Sequence, residues 1–264
     1  MADQPHAFAN HLFLSDIHLE GFSKARNRRI QESLIKLIDF CEKKQYKIYI
    51  LGDLFDYWME YPDHTPDIGK KVLKRFEHYN RHFGPTLFIT GNHDNWTRDY
   101  LPGIGFDIEQ DYRELSLQGQ KLLLLHGDGL KQGEHAKRPR MHRLLRNPRF
   151  IKLYQRLLPP SAGLKIMKYF SRVNRFLERW GSDEKVLNKW AEKQLKENDY
   201  AIIISGHDHM PRKLNFSFGT YLNLGTFYQH RTLAVYNNGC PELVVWNDVK
   251  GELTATDSES VIDE

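Results

Sequence analysis

Ile48-Tyr49-Ile50-Leu51-Gly52-Asp53-Leu54-Phe55-Asp56-Tyr57-Trp58 is an apolar run that stops at a glycine and delivers a lone carboxylate. Four β-type residues in a row read as a buried strand, and Gly52 frees the backbone to turn as the strand ends. The same event recurs four more times along the chain. Leu12-Phe13-Leu14 runs towards Asp16-Ile17-His18, and Leu87-Phe88-Ile89 towards Gly91-Asn92-His93-Asp94. Leu122 to Leu125 leads into His126-Gly127-Asp128, and Ile202-Ile203-Ile204 into Gly206-His207-Asp208-His209. Polar residues with ligand chemistry therefore collect at strand ends, which is where open α/β sheets place their sites.

Asp, His and Asn offer oxygen and nitrogen donors, and none of the clusters contains cysteine, so the set suits Mn(II), Fe or Zn better than a thiolate-bound ion. In Asp16-x-His18 strand alternation predicts that both side chains share one side and grip one ion. His207-x-His209 has the same spacing, and divergence at the strand exit would send each ring to a different ion. Two cations roughly 3.5–4 Å apart need a shared anion, and Asp53, alone after a glycine, fits that bridging place. Glycines 52, 91, 127 and 206 are read as making tight turns and leaving room for a phosphate.

The ordered series D-x-H, GD, GNHD, HGD and GHxH, spanning residues 16 to 209, resembles the calcineurin-like metallophosphoesterases. The resemblance implies an α/β sandwich of two mixed β-sheets flanked by helices. It implies two divalent metal ions, Mn2+ with Fe or Zn as alternatives. Asp16, His18, Asp53 and His209 would hold one ion; Asp53, Asn92, His126 and His207 would hold the other. His93 would stand just outside them as proton donor or phosphoryl-oxygen stabiliser, with Asp94 orienting it through a hydrogen bond. Asn92, His93 and Asp128 are the expected substrate contacts.

Gly52-Asp53-Leu54-Phe55-Asp56-Tyr57-Trp58 and His126-Gly127-Asp128-Gly129-Leu130, with a basic helical insertion before Gly206-His207, narrow the likeness. Together they resemble the UDP-2,3-diacylglucosamine diphosphatases of lipid A synthesis. That resemblance implies in-line attack of an activated water at the α-phosphorus, releasing UMP and 2,3-diacylglucosamine 1-phosphate. The chain departs from the best-known members at His93, where they carry Arg. An Arg would be a permanent cation, whereas His can also act as an acid near neutral pH.

At 264 residues and 40% hydrophobic content, the chain can fill one large α/β domain plus an insertion. Ile30, Leu34, Leu37 and Cys41 recur at helical spacing, and a second helix is predicted over Ile68–His82. Arg113–Leu117, Gln118-Gly119-Gln120 and Lys121–Leu125 read as a hairpin feeding His126. The organisation expected is a metallophosphoesterase domain over 1–130 and 199–249, an inserted basic helical cap over 131–198, and a flexible acidic tail over 250–264. Cys41 and Cys240 are read as free thiols of a reducing compartment. The start of the sequence lacks the pattern of a secretory signal, and no run approaches the roughly 18 apolar residues of a membrane span, so a cytoplasmic protein is expected.

Between Lys131 and Trp180 there are 14 Lys and Arg against Glu134 and Glu178, a local charge of +12 in a chain of net +4, which leaves −8 elsewhere. Arg143, Arg146 and Arg149 recur every third residue, beside Met141, Leu144, Leu145, Phe150, Leu153, Tyr154, Leu157 and Leu158. One reading is helices packed together with solvated charges outside. The other is a cap that touches the cytoplasmic face of the inner membrane peripherally and admits the acyl chains of a lipid-linked nucleotide sugar. Three further classes stand beside it: a general nucleotide or phosphodiester hydrolase, a metal-free interaction module, and a nucleic-acid binder using Phe150, Tyr154, Phe170 and Trp180. Against the last, the helical apolar stripe argues for burial over base stacking.

Overall fold

Leu12, Phe13 and Leu14 are all buried although they point alternately to opposite faces, so their strand is covered on both sides. The computed structural model describes residues 8–130, 140–178 and 184–256, and shows how that cover is built. In chain order the first elements are β1 (Asn10–Leu14), α1 (Lys24–Lys44), β2 (Tyr46–Leu51), α2 (Lys70–Phe83) and β3 (Thr86–Ile89). There follow α3 (Tyr100–Gly103), β4 (Phe106–Glu109), β5 (Tyr112–Leu117) and β6 (Gln120–Leu125). The helices α4 (Arg140–Leu145), α5 (Pro148–Leu157), α6 (Pro160–Glu178) and α7 (Glu184–Glu197) come next. The chain ends with β7 (Ile202–Ser205), β8 (Arg212–Phe216), β9 (Gly219–Asn223), α8 (Phe227–His230), β10 (Thr232–Asn237), β11 (Cys240–Asn247) and β12 (Glu252–Ala255).

Two mixed sheets result. One has the order β12-β11-β10-β1-β2-β3-β4 and the other β5-β6-β7-β9-β8. β1 to β4 run parallel, while β10 joins β1 antiparallel with Leu12 opposite Val235. In the second sheet β6, β7 and β9 are parallel. Phe13, Tyr49, Leu51 and Ile89 meet Leu122, Leu124, Ile202, Ile204 and Leu222 between the sheets. Leaving water contributes roughly 2–3 kcal/mol for each side chain of this size. Outside the first sheet, Ile30, Leu34, Leu37 and Cys41 of α1 join Val72, Phe76 and Tyr79 of α2 against Ile48, Ile50 and Phe88. Both helical stripes thus do what their spacing predicts.

Helix ends follow local chemistry. Ser23 caps α1 by accepting from Arg26 N, and Gln45 ends it in the left-handed conformation with φ 57°. The predicted hairpin forms with Gln118 and Gly119 both at positive φ, 50° and 81°, as a two-residue turn between twisted strands requires.

Two expected boundaries move. Leu187, Ala191 and Leu195 of α7 pack on Leu123, Ile203 and Tyr221, so this helix covers the second sheet and does not extend the cap to 198. The tail begins later than 250, because β12 pairs with β11 as an edge strand, with Val245 opposite Thr254. Residues 257–264, Trp180 and the side chains of Met141 and Phe170 lie outside the described residues.

The cap rests on the first domain through Leu145, Phe150, Ile151, Tyr154, Leu164 and Met167, which surround Met59, Tyr61 and Trp96. Trp96 Nε1 donates to Leu145 O at 2.7 Å and Gln155 Nε2 to Glu60 O at 2.6 Å. Among the described residues no helix is long and apolar enough to cross a membrane.

Cys41 is buried and Cys240 exposed, and both are free thiols. Burial pushes the Cys41 thiol pKa up. A maleimide added to the native protein is therefore expected to modify Cys240 alone, with Cys41 reacting only after denaturation. Comparable native labelling of both, read by peptide mass spectrometry, would show that α1 is not seated as described.

Candidate metal centre

β1 stops at Leu14, so Asp16 and His18 do not alternate along a strand as the sequence suggests. They sit in left-handed backbone positions, with φ 52° and 48°, as do Asp53 at 53°, His207 at 76° and His209 at 64°. Such conformations cost roughly 1–3 kcal/mol each in a non-glycine residue. Neighbouring loops hold them in place. Asp16 N donates to Gly52 O at 3.1 Å, while Ile17 N and His18 N both donate to Asp53 O at 2.9 and 3.0 Å. The exits of β1 and β2 are thus laced together, and strained turns replace strand alternation as the device that gathers the side chains.

Asp16, His18 and His209 form one group of donors; Asp16, Asp53 and His126 form an adjacent one. His209 Nε2 lies 3.1 Å from Asp16 Oδ1, and His126 Nε2 lies 3.4 Å from Asp53 Oδ2. His18 is wholly inaccessible, and among the described residues neither ring nitrogen has a hydrogen-bond partner. Its Nε2 stands 3.7 Å from Asp16 Oδ1 and 3.8 Å from Asp53 Oδ2. These gaps are too wide for hydrogen bonds yet fit two ligands meeting at one ion through bonds of roughly 2.1 Å. A buried imidazole aimed at two buried carboxylates without bonding either is what a cation site demands. The donor set therefore fits divalent metal.

Electrostatics agree. Burial by itself would raise the Asp53 pKa, but the imidazoles of His126, His93 and His18 hold its carboxyl below the usual range. His126 moves the opposite way: burial opposes its charge, yet Asp53, Asp16 and Asp128 carry it up to about 10. Carboxylates this tightly enclosed draw positive charge, and a divalent ion can supply it in place of protons.

Residues 10–211 match the calcineurin-like phosphoesterase family. The chain belongs to that family. This phosphoesterase is 30% identical over 208 residues to the UDP-2,3-diacylglucosamine hydrolase of Coxiella burnetii (strain RSA 331), covering 76% of this chain and 80% of the relative. It is 27% identical over 241 residues to the protein of that name from Vibrio parahaemolyticus, covering 86% and 95%. Among solved structures, one of an archaeal phosphodiesterase aligns with a TM-score of 0.49 at 14% identity, over 89% of this chain and 99% of that one.

The remaining expected site residues of the phosphoesterase fall as follows. Asn92 Oδ1 faces His126 Nε2 at 3.1 Å, and the His207 ring lies edge-on to that of His126, 5.1 Å between centroids. His93 Nε2 is 4.0 Å from Asp53 Oδ2. Its Nδ1 is oriented by the carbonyl of Asp56 at 2.7 Å, not by Asp94. The carboxylate of Asp94 is occupied elsewhere: it accepts from Gly91 N at 2.8 Å and Leu54 N at 2.7 Å, with longer contacts to Asp53 N and Phe55 N. It clamps two loops together. Burial and repulsion from Asp53 lift the Asp94 pKa to about 7, opposed by those backbone N–H groups. Asp128 is engaged by the cap, where Arg146 Nη2 reaches both of its oxygens at 3.2 and 3.1 Å.

Asp56, Arg146 and Ser171 are neighbours that motif spacing missed. Asp56 Oδ1 stands 3.8 Å from His18 Nδ1, and Ser171 of α6 donates to Asp56 O at 2.7 Å. Asp56 closes the Gly52-Asp53-Leu54-Phe55-Asp56 run, a visible if unspecific signal; Ser171 gives none. The phosphate-space reading of the glycines also changes at two positions. A Cβ on Gly91 would lie 2.1 Å from Asp53 Oδ1, and one on Gly206 2.4 Å from Asp16 Oδ2. These glycines admit the carboxylates themselves.

Chelator-treated protein is expected to gain thermal stability on addition of Mn2+, by about 2.7 kcal/mol for each ion bound at a hundredfold excess over its dissociation constant. Asp53→Ala, which removes the shared ligand, should lose that gain and His126→Ala should lose part of it, both keeping native circular dichroism. A melting temperature indifferent to metal in the wild type would show that the cluster takes no ion.

Proposed function

We propose that this phosphoesterase hydrolyses the pyrophosphate of UDP-2,3-diacylglucosamine to UMP and 2,3-diacylglucosamine 1-phosphate, as a step of lipid A synthesis, with two divalent ions, Mn2+ in the native protein. The observation that carries this reading is the caged imidazole–carboxylate cluster lying directly beneath a basic, amphipathic helical cap. The names of the relatives support the same substrate.

In this reading Asp16, His18, Asp53 and His209 hold one ion, and Asp53, Asn92, His126 and His207 the other. Bound there, the ions supply Lewis acidity to the phosphoryl oxygens and lower the pKa of the attacking water. The chain supplies the rest. His93 donates its Nδ1 proton to the Asp56 carbonyl, which accepts only, so the opposite nitrogen is directed towards the cluster. Protonated there, Nε2 donates to a phosphoryl or leaving-group oxygen. Cations of the cap hold the sugar-side phosphate, and its apolar residues sheathe the acyl chains.

Exposed apolar side chains of the cap support a peripheral position at the cytoplasmic side of the inner membrane. Leu153, Leu157 and Tyr169 are 55%, 69% and 67% exposed. Lys152, Arg156 and Lys165 are close to them in sequence, a pairing that suits anionic lipid.

Purified protein assayed with Mn2+ is expected to release UMP from UDP-2,3-diacylglucosamine far faster than from UDP-glucose. Equal turnover of UDP-glucose or bis-p-nitrophenyl phosphate would replace the lipid reading with a general phosphodiesterase. His93→Ala should slow release by roughly 10²–10⁴-fold, the usual contribution of a positioned proton donor, with metal content unchanged.

A further inference from the structure

Arg146 stands between α4 and α5, yet its guanidinium is not a surface charge. Only 9% of the side chain is exposed, and its partner Asp128 is 1% exposed. Nη2 donates to Gly91 O at 2.9 Å as well as to both Asp128 oxygens, and Nη1 donates to Gln110 O at 2.9 Å and Thr90 Oγ1 at 3.3 Å. Thr90 and Gly91 form the exit of β3 in the first sheet; Asp128 belongs to the exit of β6 in the second. One planar fork from the cap therefore grips both sheets. The residue after Gly91 is Asn92, and Asp128 lies two positions beyond His126. Those two side chains face each other at 3.1 Å, one from each sheet.

We propose that Arg146 is a positioning residue that sets the spacing of Asn92 and His126, and so the affinity of one of the two ions. The proposal rests on the two-ion reading of the cluster and not on the identity of the lipid substrate. Simple fastening of the cap is the competing role, and Trp96 and Gln155 already serve it through Leu145 O and Glu60 O. The fork has what fastening does not require. It satisfies a buried carboxylate and four backbone or hydroxyl oxygens on three different loops at once, a task for which a lysine ammonium lacks the planar geometry.

Calorimetric titration of chelator-treated full-length protein with Mn2+ tests this directly. The wild type is expected to show two binding steps. Arg146→Ala should weaken one of them by about 10–100-fold, the range for partners that orient metal ligands, and spare the other. Arg146→Lys, which keeps charge but not the fork, should weaken the same step, and millimolar guanidinium should restore it in Arg146→Ala. Turnover of bis-p-nitrophenyl phosphate should follow occupancy of the weakened site. Wild-type affinity for both ions in Arg146→Lys and Arg146→Ala, with only KM for UDP-2,3-diacylglucosamine raised, would overturn the proposal in favour of fastening. If Arg146→Ala does not fold, Arg146→Lys alone decides, since unchanged affinities there overturn it. Failure of the wild type to cleave UDP-2,3-diacylglucosamine would refute the substrate and leave the titration to judge Arg146. A single binding step in the wild type would overturn the positioning role.

Discussion

Two carboxylates, Asp16 and Asp53, have been taken out of water at the seam of two sheets, with 0% and 1% exposure. An unpaired charge in such a place costs several kcal/mol, so positive charge has to arrive from somewhere. Much of the surrounding architecture follows from that. Strand exits of both sheets are drawn to one line, the loops after β1 and β2 are laced by backbone hydrogen bonds, and Gly91 and Gly206 lose their side chains to make room for oxygen atoms. The strained backbones of Asp16, His18, Asp53, His207 and His209 persist because the sheets on either side leave the loops little choice.

The cap answers a different constraint. Its apolar inner face closes on Met59, Tyr61 and Trp96, and polar ties reach the loops that frame the cluster at Gly91, Asp128 and Asp56. Positive charge concentrated in a segment bound to an otherwise acidic body gives the molecule a polarity. A phosphate-bearing molecule would be drawn to the cap, beside carboxylates that a bound metal would neutralise.

Strand and helix placement was legible because burial on both faces leaves uninterrupted apolar runs, and because α1 and α2 expose one polar side each. The meeting of the five clusters was legible for a related reason: each follows such a run. What could not be read was direction. Strand alternation was the wrong guide for Asp16 and His18, since the chain turns left-handed at both, and no local pattern announces that. Asp94 was assigned to His93 by adjacency in sequence, whereas its oxygens turn back towards the amides of residues 53 to 55 and 91. Arg146 looked like one of three evenly spaced surface cations. Only the fold reveals that it alone of the three turns inward to Asp128, while Arg143 and Arg149 are exposed. The extent of the cap was misjudged because α7 is helical and lysine-rich like its predecessors, and its allegiance to the second sheet rests on Leu187, Ala191 and Leu195.

The pairing of β1 with β10 brings Leu12 against Val235, more than two hundred residues later. Until that late strand is present, β1 has a bare hydrogen-bonding edge, and Asp16 at its exit waits for the imidazole of His209 from nearly two hundred residues away. Contacts this distant in sequence carry a loop-closure cost that slows folding. Closure of the cluster thus depends on side chains spread from Asp16 to His209, and the early loops cannot complete it alone.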